Sequence, residues 1–321
     1  MRWQGALGRV FVNGEGTLRS GWALGVFAVA AIVAISVLGL LAVLLGGRPL
    51  LANVVLDDPA LITGSLARLG AVVAAAWAGE SVVRQRFGAS GLVDPRAAPR
   101  FGLGFLGGMG AISVSVGAAW ALGFESFTGT THAPGTLLRS GLALFAVLGP
   151  ASAAEEIALR GFVLQQLARA IGGWVRPRLS GSADPERAAL RTGRWAAVGI
   201  TSAVFGLAHR GNPNISDLAV VNIVLVGLWF GAVTLRTGSL WMPMGLHAGW
   251  NWFQGFFWGE PVSGLFAGAS LLRRGPHAGG ILSGGAFGPE ASVVTAFVLV
   301  LLLAVTLAWK PPGHAITNPN A

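Results

Sequence analysis

The chain contains no cysteine, which excludes disulfides and thiolate metal sites and leaves histidine and carboxylate as ligands for any metal. Charge is scarce as well. Asp, Glu, Lys and Arg make up 11% of the 321 residues, against about 25% in a soluble globular domain. With 53% hydrophobic residues and a mean hydropathy of +0.66, the chain reads as a polytopic membrane protein with one helical domain. Lys310 is the sole lysine, so the formal net charge of +9 comes almost wholly from arginine. A basic excess invites a nucleic-acid partner. Here the arginines sit in short loops between apolar runs, which fits the positive-inside rule and needs no nucleic acid.

What is abundant is glycine, alanine and long apolar sequence, a composition suited to close helix packing in lipid. A membrane helix needs roughly 20 apolar residues. Eight runs qualify as predicted spans: Gly21–Leu45, Leu61–Val82, Phe101–Phe124, Thr136–Ala168, Trp195–His209, Ser216–Leu235, Leu240–Trp258 and Ser292–Trp309. Arg68 interrupts the second, and the fifth is short and ends in a polar stretch. The first run is too long for a cleaved signal peptide, and no clear cleavage site follows it. The expected fold class is therefore an all-α polytopic membrane protein of about eight transmembrane helices around an intramembrane polar cavity.

Loop charges orient these spans. Arg2, Arg9 and Arg19 precede the first; Arg84, Arg86, Arg96 and Arg100 separate the second from the third. Arg169, Arg176, Arg178, Arg187, Arg191 and Arg194 lie around the junction of the fourth and fifth, Arg236 follows the sixth and Lys310 the eighth. The alternate loops carry only Arg48, Arg210, Arg273 and Arg274. This bias places both termini in the cytoplasm of a multi-pass cell-membrane protein. The expected organisation is a cytoplasmic segment 1–20, a helical membrane domain 21–310 and a short polar tail 311–321. The glycine-rich stretch Gly259–Glu290 reads as an external loop with an interfacial piece around Leu271–Arg274.

One apolar run contains the stretch AAEEIALRGF, which puts Glu155, Glu156 and Arg160 where ionisable groups are expensive and mark function by default. Residues four apart share a helix face, so Glu156 and Arg160 are spaced for an ion pair, while Glu155 points about 100° away and has no helical partner of opposite charge. A structural ion pair explains Glu156 and Arg160 as well as a functional one does. It does not explain Glu155.

Two further stretches carry imidazole. SAVFGLAHRGNPN places Phe205 and His209 on one face, and PMGLHAGWNW does the same for His247 and Asn251. A lone helical histidine is more often a packing residue than a catalyst. Depth changes that reading. At 1.5 Å per residue, Glu155 lies roughly 21 Å from Arg169, His209 roughly 22 Å from Arg194 and His247 roughly 16 Å from Arg236. Three ionisable groups on three spans thus reach similar depth, with Asn212 and Asn214 close behind, which implies a shared polar cavity. A desolvated carboxylate beside imidazole can activate water, and an asparagine amide can donate to an oxyanion, which suffices for amide hydrolysis. Alternatively, Glu155, His209 and His247 could bind zinc with an open position for the attacking water. Both mechanisms stay open on sequence.

The three stretches match ordered motifs: EEIALR as Glu-Glu-x-x-x-Arg, FGLAH as Phe-x-x-x-His and HAGWN as His-x-x-x-Asn. Together they resemble the CPBP (Abi) family of intramembrane glutamic endopeptidases, which comprises the type II CAAX prenyl endopeptidases and bacterial relatives such as lysostaphin-resistance protein A-like and bacteriocin-processing and immunity proteins. The resemblance covers about residues 137–257. It implies a fold of typically eight transmembrane helices and an endopeptidase acting on a membrane-associated protein or peptide at the bilayer. It further implies Glu155 as general base on the hydrolytic water with His209 assisting, His247 and Asn251 stabilising the oxyanion, Glu156 and Arg160 supporting the first motif, and Phe205 packing the second. No cofactor is required in the glutamate–water route. Two other classes compete: a transporter, which would spread acidic residues along a route through several spans, and a non-catalytic scaffold or immunity factor that keeps the cavity without turnover.

Overall fold

The computed structural model describes residues 11–12, 18–45, 55–58, 60–86 and 88–309. The tail 311–321, most of the N-terminal segment, and Arg2, Arg9, Arg48 and Lys310 lie outside the described residues. Among those described, helices occupy all eight predicted runs: α1 (Ser20–Leu44), α2 (Ala60–Val82), α3 (Ala97–Ala121), α4 (Pro134–Glu156) continued by α5 (Leu164–Val175), α6 (Pro185–Ala208), α7 (Asp217–Thr237), α8 (Trp241–Phe256) and, after a four-residue turn of helix α9 (Gly280–Ser283), α10 (Val293–Ala308).

Five of these are long and apolar enough to cross a membrane: α1, α2, α3, the continuous run Pro134–Leu179 and α7. Helix α10 is apolar but shorter, and α8 has the same 16 residues, about 24 Å of helix. Helix α6 starts ten residues earlier than predicted. Asp184 caps it by accepting the Arg187 amide at 3.0 Å, and Pro185 takes the first turn, where a missing N–H costs nothing. A cap and a proline override hydropathy, so the helix extends through a charged stretch.

The fourth run departs most from a plain helix. Pro150 lies inside α4, where it cannot donate to the preceding turn. From Ile157 to Val163 the chain follows a wider π-helical path, with Gly161 at φ −77°, ψ −107°. Wide turns of this kind concentrate at functional sites, and this one begins directly after the two glutamates. The stretch around Leu271–Arg274 is extended rather than helical. It contains strand β2 (Leu272–Arg274), paired antiparallel with β1 (Phe127–Gly129). Tertiary pairing supplied by another loop decided that, and nothing local to the stretch announces it.

Helices α3 and α8 approach closely. A Cβ at Gly104 or Gly108 would stand 2.2 or 2.1 Å from the carbonyl oxygens of Met242 and Leu246. At Gly245 and Gly249 it would stand 2.2 and 2.1 Å from those of Phe101 and Phe105. Two small-xxx-small faces thus interlock backbone to backbone. That contact sets the position of α8, which carries His247 and Asn251.

Cross-loop hydrogen bonds define the two ends of the bundle. At one end the β1–β2 pair joins 122–133 to 257–292, the Leu56 amide donates to Phe266, and Asn212 donates to the Ser263 carbonyl at 3.1 Å. At the other, the Leu240 amide donates to Gly91, Trp241 Nε1 donates to Leu92 at 2.7 Å, and Ser239 donates to Asp94. Arg84, Arg86, Arg96 and Arg236 belong to this second end.

Candidate active site

A cavity of about 370 Å³ lies among α2, α4, α6, α7, α8 and α10, and Glu155, Phe205, His209, His247 and Asn251 all line it. Glu156 and Arg160 sit behind this wall, both with fully buried side chains. Asn212 lines the cavity; Asn214 does not, and it takes a left-handed conformation with φ 58°.

The two adjacent glutamates diverge as a helix requires, yet they meet the same residue. His247 stands between them. Its Nδ1 donates to Glu156 Oε1 at 3.0 Å, and its Nε2 stands 3.8 Å from Glu155 Oε2, too long for a hydrogen bond. Arg160 Nη1 donates to the same Glu156 oxygen at 2.9 Å. Glu156 is therefore committed to structure, and Glu155, about a third exposed to the cavity, is not.

Arg160 makes no other hydrogen bond through Nε or Nη2. Instead its guanidinium lies 4.5 Å from the centre of the Phe205 ring and 5.8 Å from that of Phe230, a cation–π setting that holds a buried charge without further polar partners. The Phe205 ring also meets His209 and His247 edge-on, with centroids 4.8 and 5.9 Å apart. One aromatic side chain thus spaces the arginine and both imidazoles.

His209 ends α6 and opens a short 3₁₀ turn. Its Nδ1 is 2.7 Å from the Phe205 carbonyl. A carbonyl only accepts, so Nδ1 carries the proton and Nε2 keeps its lone pair in the neutral ring. Asn251 Nδ2 reaches Ser152 Oγ at 3.4 Å, a loose contact that leaves most of the amide's donor capacity for a ligand. Among the described residues no group of three His, Asp or Glu side chains is gathered closely enough to hold a metal. Glu155, His209 and His247 therefore do not fit a zinc ion as arranged.

Several wall residues carry no signal in the sequence motifs. Glu290, in the loop before α10, is 7% exposed and accepts the Ser263 amide at 2.6 Å and the Ser263 hydroxyl at 3.2 Å. Burial pushes its carboxyl up, while hydrogen bonds from Ser263 and Gln254 and the nearby His209 pull it down. Asn222 donates to the carbonyls of Glu290 and Ser292, both at 2.8 Å, and so ties α7 to the start of α10. Arg68, read from sequence as an interruption of its span, lines the cavity from α2. The only sequence hint of Glu290 is a carboxylate just before an apolar run.

Residues 137–253 match the family model described as type II CAAX prenyl endopeptidase Rce1-like. The matched segment contains all seven motif residues from Glu155 to Asn251. No curated protein and no solved structure matches the chain. That family is one of proteases; several helices apolar enough to span lipid make the chain a multi-pass membrane protein.

Proposed function

We propose that the protein is an intramembrane endopeptidase that hydrolyses a peptide bond of a membrane-associated protein or peptide, in the manner of CAAX proteases, with Glu155 as the base. The observation that carries this reading is the division of labour around His247: Glu156 is held by Arg160 and His247, while Glu155 faces the cavity uncommitted.

A water between Glu155 and the free Nε2 of His209 can give its proton to the carboxylate as it attacks the scissile carbonyl. The tetrahedral oxygen then takes hydrogen bonds from Asn251 Nδ2 and from His247 Nε2–H when that ring carries both protons. Glu155 returns the proton to the leaving amine. The groups are arrayed on separate rigid helices, so little reorganisation accompanies the reaction. Transport fits less well, because among the described residues none from the arginine-rich end lines the cavity.

The test is cleavage of membrane-proximal peptides by purified protein in detergent, beside Glu155→Ala protein of unchanged thermal stability. Glu155→Ala is expected to abolish cleavage, and wild-type rates in that variant would overturn the assignment. Activity that persists in strong chelators is expected for the glutamate–water route, and metal-restorable loss would replace it. A comparison of membrane proteomes containing wild-type or Glu155→Ala protein would name the substrate.

A further inference from the structure

The end of the bundle on which the cavity sits has a consequence for where its substrate comes from. Leu56, Asn212, Val262, Ser263, Leu265 and Glu290 all contribute to the cavity wall, and all six belong to the loops that are hydrogen-bonded together at one end. No residue of segments 83–96, 164–194 or 236–240, which form the opposite end, lines it. The arginines divide the same way. Arg84, Arg86, Arg96, Arg176, Arg178 and Arg187 flank the far end, whereas the described loops at the cavity end bear Arg210, Arg273 and Arg274, with Arg139 near the start of α4. Orientation follows the excess of Lys and Arg in short loops near helix ends, which stay in the cytoplasm.

We infer that the cavity opens on the extracytoplasmic side of the membrane, so that the peptide it acts on is presented from that side, through the outer solution or the adjoining leaflet. The word "substrate" rests on the hydrolytic reading above; the direction of access does not. A substrate of this class is an extracytoplasmic, membrane-tethered segment of polypeptide, and a chain end held in the cytoplasm does not reach Glu155. The wall itself agrees with access from this side: Ala208, at the end of α6, lines the cavity and is exposed.

The cysteine-free sequence makes the test direct, because each introduced thiol is the only one present. Gly129→Cys in β1 and Gly181→Cys between α5 and α6 place thiols at opposite ends, at exposed positions where a Cβ meets nothing within 4 Å. Ala208→Cys places one in the cavity wall. The full-length variants are treated in intact cells with a membrane-impermeant maleimide, then again after detergent. Gly129→Cys and Ala208→Cys are expected to label in intact cells, and Gly181→Cys only after detergent. Labelling of Gly181→Cys in intact cells, or protection of Gly129→Cys, overturns the orientation. Protection of Ala208→Cys in cells where Gly129→Cys labels overturns access from that side. Thiol labelling is indifferent to turnover, so failure of the hydrolytic reading, seen as wild-type protein that cleaves no more than Glu155→Ala protein, would leave these outcomes unchanged.

Discussion

Glu156 and His247 are joined by a 3.0 Å hydrogen bond that spans 91 residues of sequence. Because Nδ1 is used there, only Nε2 of this imidazole can face a ligand, and it faces the side on which Glu155 stands. Glu156 orients the imidazole, and Glu155 shares the cavity with it.

Truncation of Asn251 is expected to separate binding from chemistry. Its amide has one loose protein partner, Ser152 at 3.4 Å, so Asn251→Ala should leave thermal stability nearly unchanged. Loss of one oxyanion donor lowers kcat by about 10²–10³, with KM little altered. Steady-state kinetics on an identified peptide checks this; a change confined to KM would reassign Asn251 to substrate binding.

Arg160 is the counter-charge to Glu156 in a wholly buried pair. Arg160→Met leaves that carboxylate uncompensated and is expected to cost about 3–5 kcal/mol, read as a lowered midpoint of unfolding in detergent. The double variant Glu156→Gln, Arg160→Met should recover part of that stability but not activity, since the Gln side chain carries no charge to hold His247. A double variant no more stable than Arg160→Met would show that the loss lies in packing against Phe205.

Gly249→Ala tests whether close backbone contact positions the site. The added methyl would stand 2.1 Å from the Phe105 carbonyl oxygen, so α3 and α8 must separate. Overpacking of this kind costs about 1–3 kcal/mol, and activity should fall further because His247 and Asn251 move with α8. Gly110→Ala, where a Cβ meets nothing within 4 Å, is the control on the same pair of helices.

At the cavity end, Glu260 provides a pH signature. Its burial pushes the carboxyl up to about 8 from an ordinary value of 4.5, with Glu125 adding to the rise and Arg274 opposing it. Arg274 Nε stands 3.1 Å from Glu260, but its hydrogen bonds go to Glu125 at 3.2 and 2.7 Å. The folded state therefore holds a proton that the unfolded chain releases above about pH 4.5. Stability from this group is complete below that value and is lost as pH rises toward 8, by up to about 1.4 kcal/mol per pH unit. Thermal unfolding between pH 5 and 8 should show wild type losing stability relative to Glu260→Gln, and parallel curves would refute it.

Much of the architecture was legible in the sequence because lipid demands it. A chain in hydrocarbon must satisfy its backbone locally, so apolar runs become helices, and each predicted run contains one. The Glu156–Arg160 pair was likewise legible, since helical spacing alone brings those side chains together. What local pattern could not supply were relationships between distant segments. The π-helical stretch after Glu156, the backbone contact of Gly249 with Phe105, the two strands, and the Ser263–Glu290 wall all depend on partners many residues away. Sequence by itself determined which apolar runs become helices and where charge falls along them. Tertiary packing decided that two neighbouring carboxylates flank one imidazole, because only the approach of α8 to α4 places His247 within reach of both.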